Sequence, residues 1–406
     1  MILKKLLIGT VITPFRIIKS GAVLIEDKRI LAVDDVDKLR DSAEEIIDFS
    51  DLYIAPGFVD IHVHGGGGKD TMDGTLDALK VIAETHAKGG TTTFLPTTTT
   101  APIDDIYKAL KVIKQAMSVN MHDFGGARIV GAHLEGPYFN YSQAGAQNPA
   151  YLKNPNWEEM QTLLSTGIVR RVSLAPELPG ALEMIKNLES QGVIVSIGHS
   201  DATYQQVIKA MEMGCTHVTH IYSGMSMVKR VKSYRISGVL ESALLEDELT
   251  VELIADGHHL PPSLIKLIVK VKGFDHVCGI TDAISAAGIG PGQYTSGGLE
   301  VIVENTVPNE YETIPSGYVA KLSNREAFAG STALMINILN TLVELSSIPL
   351  QLAVKMITYN PAKIIKISNE RGSIAPGKYA DIVVFDRKYR VQLNITEGIE
   401  VFKSFS

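Results

Sequence analysis

The sequence predicts a (β/α)8 TIM barrel that carries a small β-sandwich domain, and three observations support this prediction. From Gly57 onward, eight short β-branched runs alternate with longer segments of helical periodicity. Both ends of the chain contain only short strand-like segments separated by turns. A chain of 406 residues suits a barrel of about 250–300 residues plus one accessory domain.

The eight β-branched runs have the length of barrel strands. They cover residues 57–63, 91–97, 128–135, 169–177, 193–199, 215–222, 250–256 and 276–282. Between them, residues 103–118 place Ile106, Leu110 and Ile113 on one helical face. Glycines follow several of these helical segments, where a helix is expected to end, at positions 89, 192 and 214. Strands that alternate with helices in this way are typical of a parallel barrel.

The two chain ends are predicted to form one domain together. Neither residues 1–55 nor residues 365–406 contain enough strand to bury a core alone. We therefore expect both ends to build one β-sandwich, and residues 56–364 to build the barrel. The Gly-, Ser- and Thr-rich segment 283–323 is predicted to be an insertion in the barrel, or a hairpin that covers the functional site of the barrel.

Composition excludes several classes of function. The net charge of -7 argues against a nucleic-acid or anionic-membrane partner. Any phosphorylated ligand would need a local basic patch. No apolar stretch reaches the roughly 20 residues of a membrane span, and the first residues lack the cleavage site of a signal peptide. Two cysteines, Cys215 and Cys278, lie in predicted buried strands, which favours a cytoplasmic protein.

The strongest chemical signal is the pair His62 and His64 in APGFVDIHVHG. Alternate residues of a strand face the same side, so both imidazoles point to one place. A single histidine in a strand is more often a core residue. Two at this spacing, at the end of the first barrel strand, are better explained as ligands of one metal ion.

Four more polar residues end predicted barrel strands. They are Glu135, His199, His220 and Asp282, on the third, fifth, sixth and eighth strands. The carboxyl ends of barrel strands form one face, where the active site lies, so these distant residues become neighbours. Histidines with carboxylates are the ligands that Zn²⁺ or Fe²⁺ prefers. A divalent cation also removes the cost of burying two carboxylates.

Two further features lie on the same face. His258 and His259 follow the seventh strand, and one of them is a candidate for substrate contact. The basic run from Lys229 to Arg235 follows the sixth strand. Such a run is usually a solvated loop or the start of a helix, but its position equally favours a role in substrate binding.

Together these motifs resemble the amidohydrolase superfamily, and more closely its N-acetylglucosamine-6-phosphate deacetylase family. The resemblance covers essentially the whole chain and includes HLEGPYF, GHSDAT, THIYSGM, IADGHHL and the terminal GSIAPGKYADIVVFD. A glutamate on the third strand distinguishes this family from dihydroorotase-like and hydantoinase-like enzymes, which use a carboxylated lysine on the fourth strand. The fourth strand here, VRRVSLAPE, has no lysine.

The resemblance implies roles for individual residues. It implies a main metal ion held by Glu135, His199 and His220. It also implies that Asp282 is the catalytic carboxylate and that His62 and His64 bind a second ion found in some members. His259 matches the residue that contacts substrate. The implied reaction is removal of the acetyl group from N-acetylglucosamine 6-phosphate by a cytoplasmic homodimer, with one or two ions per subunit.

The chain departs from the family in the substrate pocket. Ser223-Gly224 replaces Asn-Ala, Gln147 replaces a histidine, and VKRVKSYRISG replaces the stretch with the phosphate-binding arginine. Arg230 and Lys232 are candidates for that charge, as are the neighbouring Lys229 and Arg235. Three alternatives stay open: another N-acetyl sugar, a D-aminoacylase-like or dipeptidase-like substrate, and a non-catalytic scaffold. The complete ligand set argues against the scaffold.

Overall fold

The computed structural model describes residues 3–308, 312 and 314–404 and contains the predicted barrel. Eight parallel strands follow one another around it in chain order. Numbered one to eight, they are Phe58–Val63, Thr91–Thr98, Ala132–Glu135, Val169–Leu174, Ile194–Ile197, Cys215–Val218, Thr250–Ile254 and Val277–Ile280. The barrel closes where the Asp282 amide donates to the His62 carbonyl at 3.1 Å.

Helices cover the outside of the barrel. The longer ones are Leu76–Lys88, Ile103–Ser118, Trp157–Leu164, Ala181–Ser190, Tyr204–Glu212, Val239–Leu245, Pro262–Lys272, Met335–Asn340, Leu350–Met356 and Tyr359–Ile364. The predicted face of the second helix is correct, because Ile106, Leu110 and Ile113 are all buried. In the described part of the chain, no helix is long and apolar enough to cross a membrane.

The terminal segments together form one seven-stranded sheet. Its spatial order is Ile399–Lys403, Val391–Thr396, Ile382–Phe385, Glu45–Pro56, Lys4–Ile12, Ile17–Glu26 and Arg29–Asp35. The two ends of the chain meet where Ile382 pairs with Pro56. Buried side chains from both ends, such as Leu7 and Leu393, share one core. The strands are hydrogen-bonded continuously, rather than as two separate sheets.

Two insertions rise from the face formed by the carboxyl ends of the barrel strands. The first is a three-stranded antiparallel sheet, here called the flap, made of Gly292–Ser296, Leu299–Asn305 and Tyr318–Leu322. It confirms the hairpin predicted in segment 283–323. The second, here called the basic hairpin, pairs Lys229–Val231 with Tyr234–Ile236. The basic run is thus a β-hairpin, not the start of a helix.

A buried ion network joins the barrel to the terminal sheet. Arg128 of the barrel donates two hydrogen bonds of 3.0 Å to Glu397, which also pairs with Arg371. Arg371 in turn contacts Asp381. Burial raises the pKa of Glu397, but the two arginines lower it more, so the net shift is downward. The ionised network therefore stabilises the fold at neutral pH.

We expect Glu397→Gln to lower the free energy of unfolding by about 1.5–3 kcal/mol at pH 7, the range for hydrogen bonds to charged groups. Urea unfolding measures this, with the exposed Glu400→Gln as control. Because the folded pKa is depressed, the difference from wild type must shrink as pH falls through that pKa. A difference that stays constant down to acid pH would contradict the network's role.

Candidate active site

The carboxyl ends of five barrel strands bring together the six predicted metal-site and catalytic side chains. Glu135 lies at the centre and is 2% exposed. Its carboxylate is 3.0 Å from His220 Nε2, 3.2 Å from His64 Nε2 and 3.4 Å from the Nε2 atoms of His62 and His199. Asp282 Oδ1 lies 3.4 Å from His62 Nε2 and from His64 Nε2. The structure therefore places all six around one small volume.

The six side chains divide into two groups with metal-binding geometry. Within each group, the candidate ligand atoms lie within 4.8 Å of one another. The groups are Glu135 with His199 and His220, and His62 with His64 and Asp282. Buried imidazoles and carboxylates are the donors of Zn²⁺ and Fe²⁺ sites. The residues present therefore fit a divalent ion.

Three of these residues have left-handed backbone, which is unusual for a side chain with a Cβ atom. The φ angles are 45° at His199, 26° at His220 and 49° at Asp282. Each follows the end of its strand by two residues, where the chain turns over the barrel mouth. Strained backbone of this kind concentrates at functional sites. Here the turn aims each side chain at the central volume.

Backbone carbonyls orient the two histidines of the first group. His199 Nδ1 donates to the Gln143 carbonyl at 2.8 Å, and His220 Nδ1 donates to the Ser223 carbonyl at 3.2 Å. These bonds leave both Nε2 atoms free to face Glu135. Gly224 packs against the ring of His199, since a Cβ there would lie 2.8 Å from His199 Nδ1. Any side chain at position 224 would therefore have to displace the His199 ring.

Electrostatics of the cluster favour added positive charge. Burial lowers the pKa of His62, but Asp282 and Glu135 oppose this effect and raise the pKa to about 9. Burial raises the pKa of Glu135, whereas His62 and the other imidazoles bring it well below its usual range. The carboxylates thus attract protons to the imidazoles, and a divalent cation competes for the same place.

A cavity of about 240 Å³ opens above the cluster. Its polar wall includes the predicted substrate-binding residues Gln147, Ser223, Gly224 and His259. Its apolar lining comes largely from the flap and the segment after it, with Leu299, Val301, Leu322 and Phe328. Concave, partly apolar sites with a few convergent polar groups are typical of small-ligand sites.

Two of the predicted contacts are themselves held in place. Gln147 Nε2 donates to Glu135 at 2.7 Å, while its oxygen accepts from Thr99 and from the Thr100 amide. Gln147 is therefore partly committed to orienting Glu135. His259 Nδ1 donates to Asp256 at 2.8 Å. Burial lowers the pKa of His259, but Asp256 opposes this and the net shift is upward.

The structure of one chain does not bring Arg230 or Lys232 to the cavity. Both are exposed on the basic hairpin. The neighbouring Lys229 pairs with Asp201 at 2.9 Å, outside the cavity. Among the described residues that line the cavity, none is lysine or arginine. A positive contact for a phosphate group is therefore missing within the single described chain.

Several functional neighbours were not predicted from the sequence. Glu252 and Arg171 are fully buried beneath the cluster, and Asp256 holds His259. A charged residue within an apolar strand run, as in TVELIAD and VRRVSL, is the signal that identifies the first two. The flap residues carry no such signal, because apolar side chains in a strand are usually core.

Comparison with known proteins agrees with this architecture. A family model described as "Amidohydrolase family" matches residues 53–403. The N-acetylglucosamine-6-phosphate deacetylase of Vibrio furnissii is 33% identical over 93% of this chain and 89% of its own length. The N-acetylgalactosamine-6-phosphate deacetylase of Escherichia coli O157:H7 is 35% identical over 84% of this chain and 85% of its own length.

A solved structure shows the same fold over nearly the whole chain. A mutant N-acetyl-D-glucosamine-6-phosphate deacetylase of Mycobacterium smegmatis, in complex with N-acetyl-D-glucosamine-6-phosphate, is 29% identical, with a TM-score of 0.87. The match covers 99% of this chain and 100% of that one. The chain is therefore a metal-dependent hydrolase of the amidohydrolase family, and belongs within it to the N-acetylglucosamine-6-phosphate deacetylases.

Proposed function

We propose that this enzyme hydrolyses the acetamide of N-acetyl-D-glucosamine 6-phosphate to glucosamine 6-phosphate and acetate. The observation that carries the proposal is the position of Asp282, which lines the cavity beside the Glu135, His199 and His220 group. This arrangement puts a carboxylate next to a metal-binding group at the floor of a cavity. The relatives and the solved complex support the choice of substrate.

Glu135, His199 and His220 would hold the main ion, and His62 with His64 a second one. We propose Zn²⁺ or Fe²⁺, with one or two ions per subunit. A bound divalent ion supplies Lewis acidity, which acidifies water and polarises the amide carbonyl. Gln147 keeps the Glu135 carboxylate oriented through its 2.7 Å hydrogen bond.

Asp282 acts first as a base and then as an acid. It takes the proton of the attacking water and gives it to the departing amine. Burial raises the pKa of Asp282, but His62 and His64 oppose this and the net shift is downward. The carboxylate is therefore ionised at neutral pH, as the first step requires.

His259 would donate a hydrogen bond from Nε2 to the substrate, because Asp256 occupies Nδ1. We expect Asp256→Asn to lower the pKa of His259, since burial then acts without the opposing carboxylate. The alkaline limb of the plot of kcat/KM against pH should move to lower pH, because His259 loses its proton at a lower pH in the variant. Profiles of kcat/KM against pH for wild type and variant test this. A limb that does not move would show that protonated His259 is not used.

Ser223, Gly224 and Gln147 would contact the sugar, while the phosphate needs a cation that the cavity of one chain lacks. We propose that Arg230 and Lys232 come from the basic hairpin of a second copy in a homodimer. The hairpin also exposes Val231 and Tyr234, with 47% and 75% of their surface accessible, as an interface would require.

We expect Arg230→Ala to raise KM for a phosphorylated substrate about tenfold or more, the effect of losing one charge-assisted hydrogen bond. The KM of an unphosphorylated sugar should not change. In a mixed dimer, one subunit carries Arg230→Ala and the other carries Asp282→Asn. One of its two sites then contains a native Asp282 and a native Arg230, so part of the activity should return. Without such complementation, the hairpin does not act on a partner's site.

A substrate panel tests the assignment. It should contain N-acetylglucosamine 6-phosphate, N-acetylgalactosamine 6-phosphate, free N-acetylglucosamine and N-acyl amino acids. We expect the highest kcat/KM with the first. The galactosamine isomer is the second candidate, favoured by the 35% identical relative and by the departure at Ser223-Gly224. Turnover of unphosphorylated compounds alone would refute both. A protein without bound metal would instead indicate a scaffold.

We propose that residues 1–55 and 365–406 form one domain and residues 56–364 the other. The terminal sheet has a buried cluster of its own, which includes Leu7 and Leu393 and supports this division. We also propose a cytoplasmic location, supported by Cys215 and Cys278, which are buried free thiols.

A further inference from the structure

Glu252 lies beneath both metal-binding groups, on the seventh barrel strand. Its side chain has no exposed surface. A buried carboxylate in the middle of a strand is costly unless its partners compensate for the lost hydration. Four groups contact it here, and two of them belong to the proposed metal ligands.

One oxygen of Glu252 joins the two metal-binding groups. Oε2 accepts from His62 Nδ1 at 3.3 Å and from the backbone amide of His220 at 3.2 Å. With the proton held on Nδ1, the lone pair on His62 Nε2 faces Asp282 and Glu135. The second contact fixes the amide of a residue whose φ is +26°. One carboxylate oxygen thus orients a ligand of each group.

The other oxygen of Glu252 is occupied by a guanidinium. Arg171 Nη1 donates to Oε1, and Arg171 is itself anchored by Ser196 at 2.8 Å and Thr219 at 2.9 Å. The cation balances the charge of Glu252. His217 and Cys278 lie close to Glu252 in a third cluster with metal-binding geometry. Because the guanidinium already occupies this place, the third cluster is not an ion site.

We propose that Glu252 is a positioning residue that couples the two metal-binding groups, so that ion affinity depends on it although it binds no ion. The inference rests on the metal roles proposed above. A carboxylate that orients a ligand histidine typically contributes 10- to 100-fold to metal affinity.

Zinc affinity of the metal-free full-length protein tests the proposal. Competition with a chelator of known affinity gives Kd without any substrate. Glu252→Gln should bind Zn²⁺ about tenfold or more weakly. Asp381→Asn is the matched control, because it also breaks a buried arginine–carboxylate pair, but in the terminal sheet. The control should lose stability and keep its zinc affinity. Wild-type affinity in folded Glu252→Gln overturns the proposal.

A measurement on the wild type covers the case in which Glu252→Gln does not fold. Nitrogen-15 spectra of histidine-labelled protein with bound zinc report which ring nitrogen of each histidine carries the proton. The signal of His62 is the one that is missing from the spectrum of His62→Gln. We expect His62 to be protonated at Nδ1, and protonation at Nε2 overturns the proposal. Wild-type protein that binds no zinc overturns the metal roles as well. If the enzyme hydrolyses a different substrate, only the proposed function changes, and the role of Glu252 is unaffected.

Discussion

Asp282→Asn should fold and bind metal like the wild type and lose about 10²- to 10⁴-fold in kcat, the usual contribution of a general acid–base. The amide keeps the shape of the carboxylate and one oxygen that faces His62 and His64, which lie 3.4 Å from Oδ1. It has no basic oxygen to take the proton of water. Steady-state kinetics with a metal-to-protein ratio on the same sample measures both effects.

Asp60→Asn is the matched control for Asp282→Asn. Asp60 is also a buried carboxylate, and it accepts from Thr281 Oγ1 at 2.6 Å. Its other oxygen accepts from the His62 amide at 3.3 Å, a contact that the asparagine oxygen keeps. Burial raises the pKa of Asp60 to about 7, so its charge is already partly lost at neutral pH. The control should keep wild-type turnover. Equal losses in the two variants would mean that barrel packing, rather than proton transfer, explains the Asp282 result.

Glu135→Gln should remove the main ion and abolish turnover. Among the described residues, Glu135 is the one carboxylate that lies within 3.4 Å of a ring nitrogen of His62, His64, His199 and His220. Without the charge of Glu135, the four imidazoles surround a neutral amide, and the charge of a bound cation is poorly balanced. We expect the metal content to fall by one ion per chain and kcat/KM to fall to background. Elemental analysis and steady-state kinetics check the two effects.

Glu177→Gln separates loss of this ligand from general damage to the barrel mouth. Glu177 follows the fourth strand and accepts hydrogen bonds from Asn140, Ser200 and the Asp201 amide. It does not line the cavity among the described residues. Full metal content and activity are expected in Glu177→Gln. Retained metal in Glu135→Gln would remove the basis of the proposed mechanism.

Much of the site follows from local sequence. The period of two in a strand places His62 and His64 on one side, and barrel topology places Glu135, His199 and Asp282 at the same face. These inferences need only the chain order of strands and helices. The contributions of the flap could not be inferred in this way, because apolar residues such as Val301 are typical of any strand.

The sequence was enough to predict the barrel, the sheet shared by both termini and the residues that we propose as metal ligands. Each depends on a repeating pattern or on a position at the end of a strand. The packed chain was needed to show that Gln147 and Glu252 form hydrogen bonds to the proposed metal ligands Glu135 and His62. It also showed that Arg230 and Lys232 lie outside the cavity of their own chain. A hydrogen bond requires atoms to be within about 3 Å. Such distances between remote segments depend on how the whole chain packs.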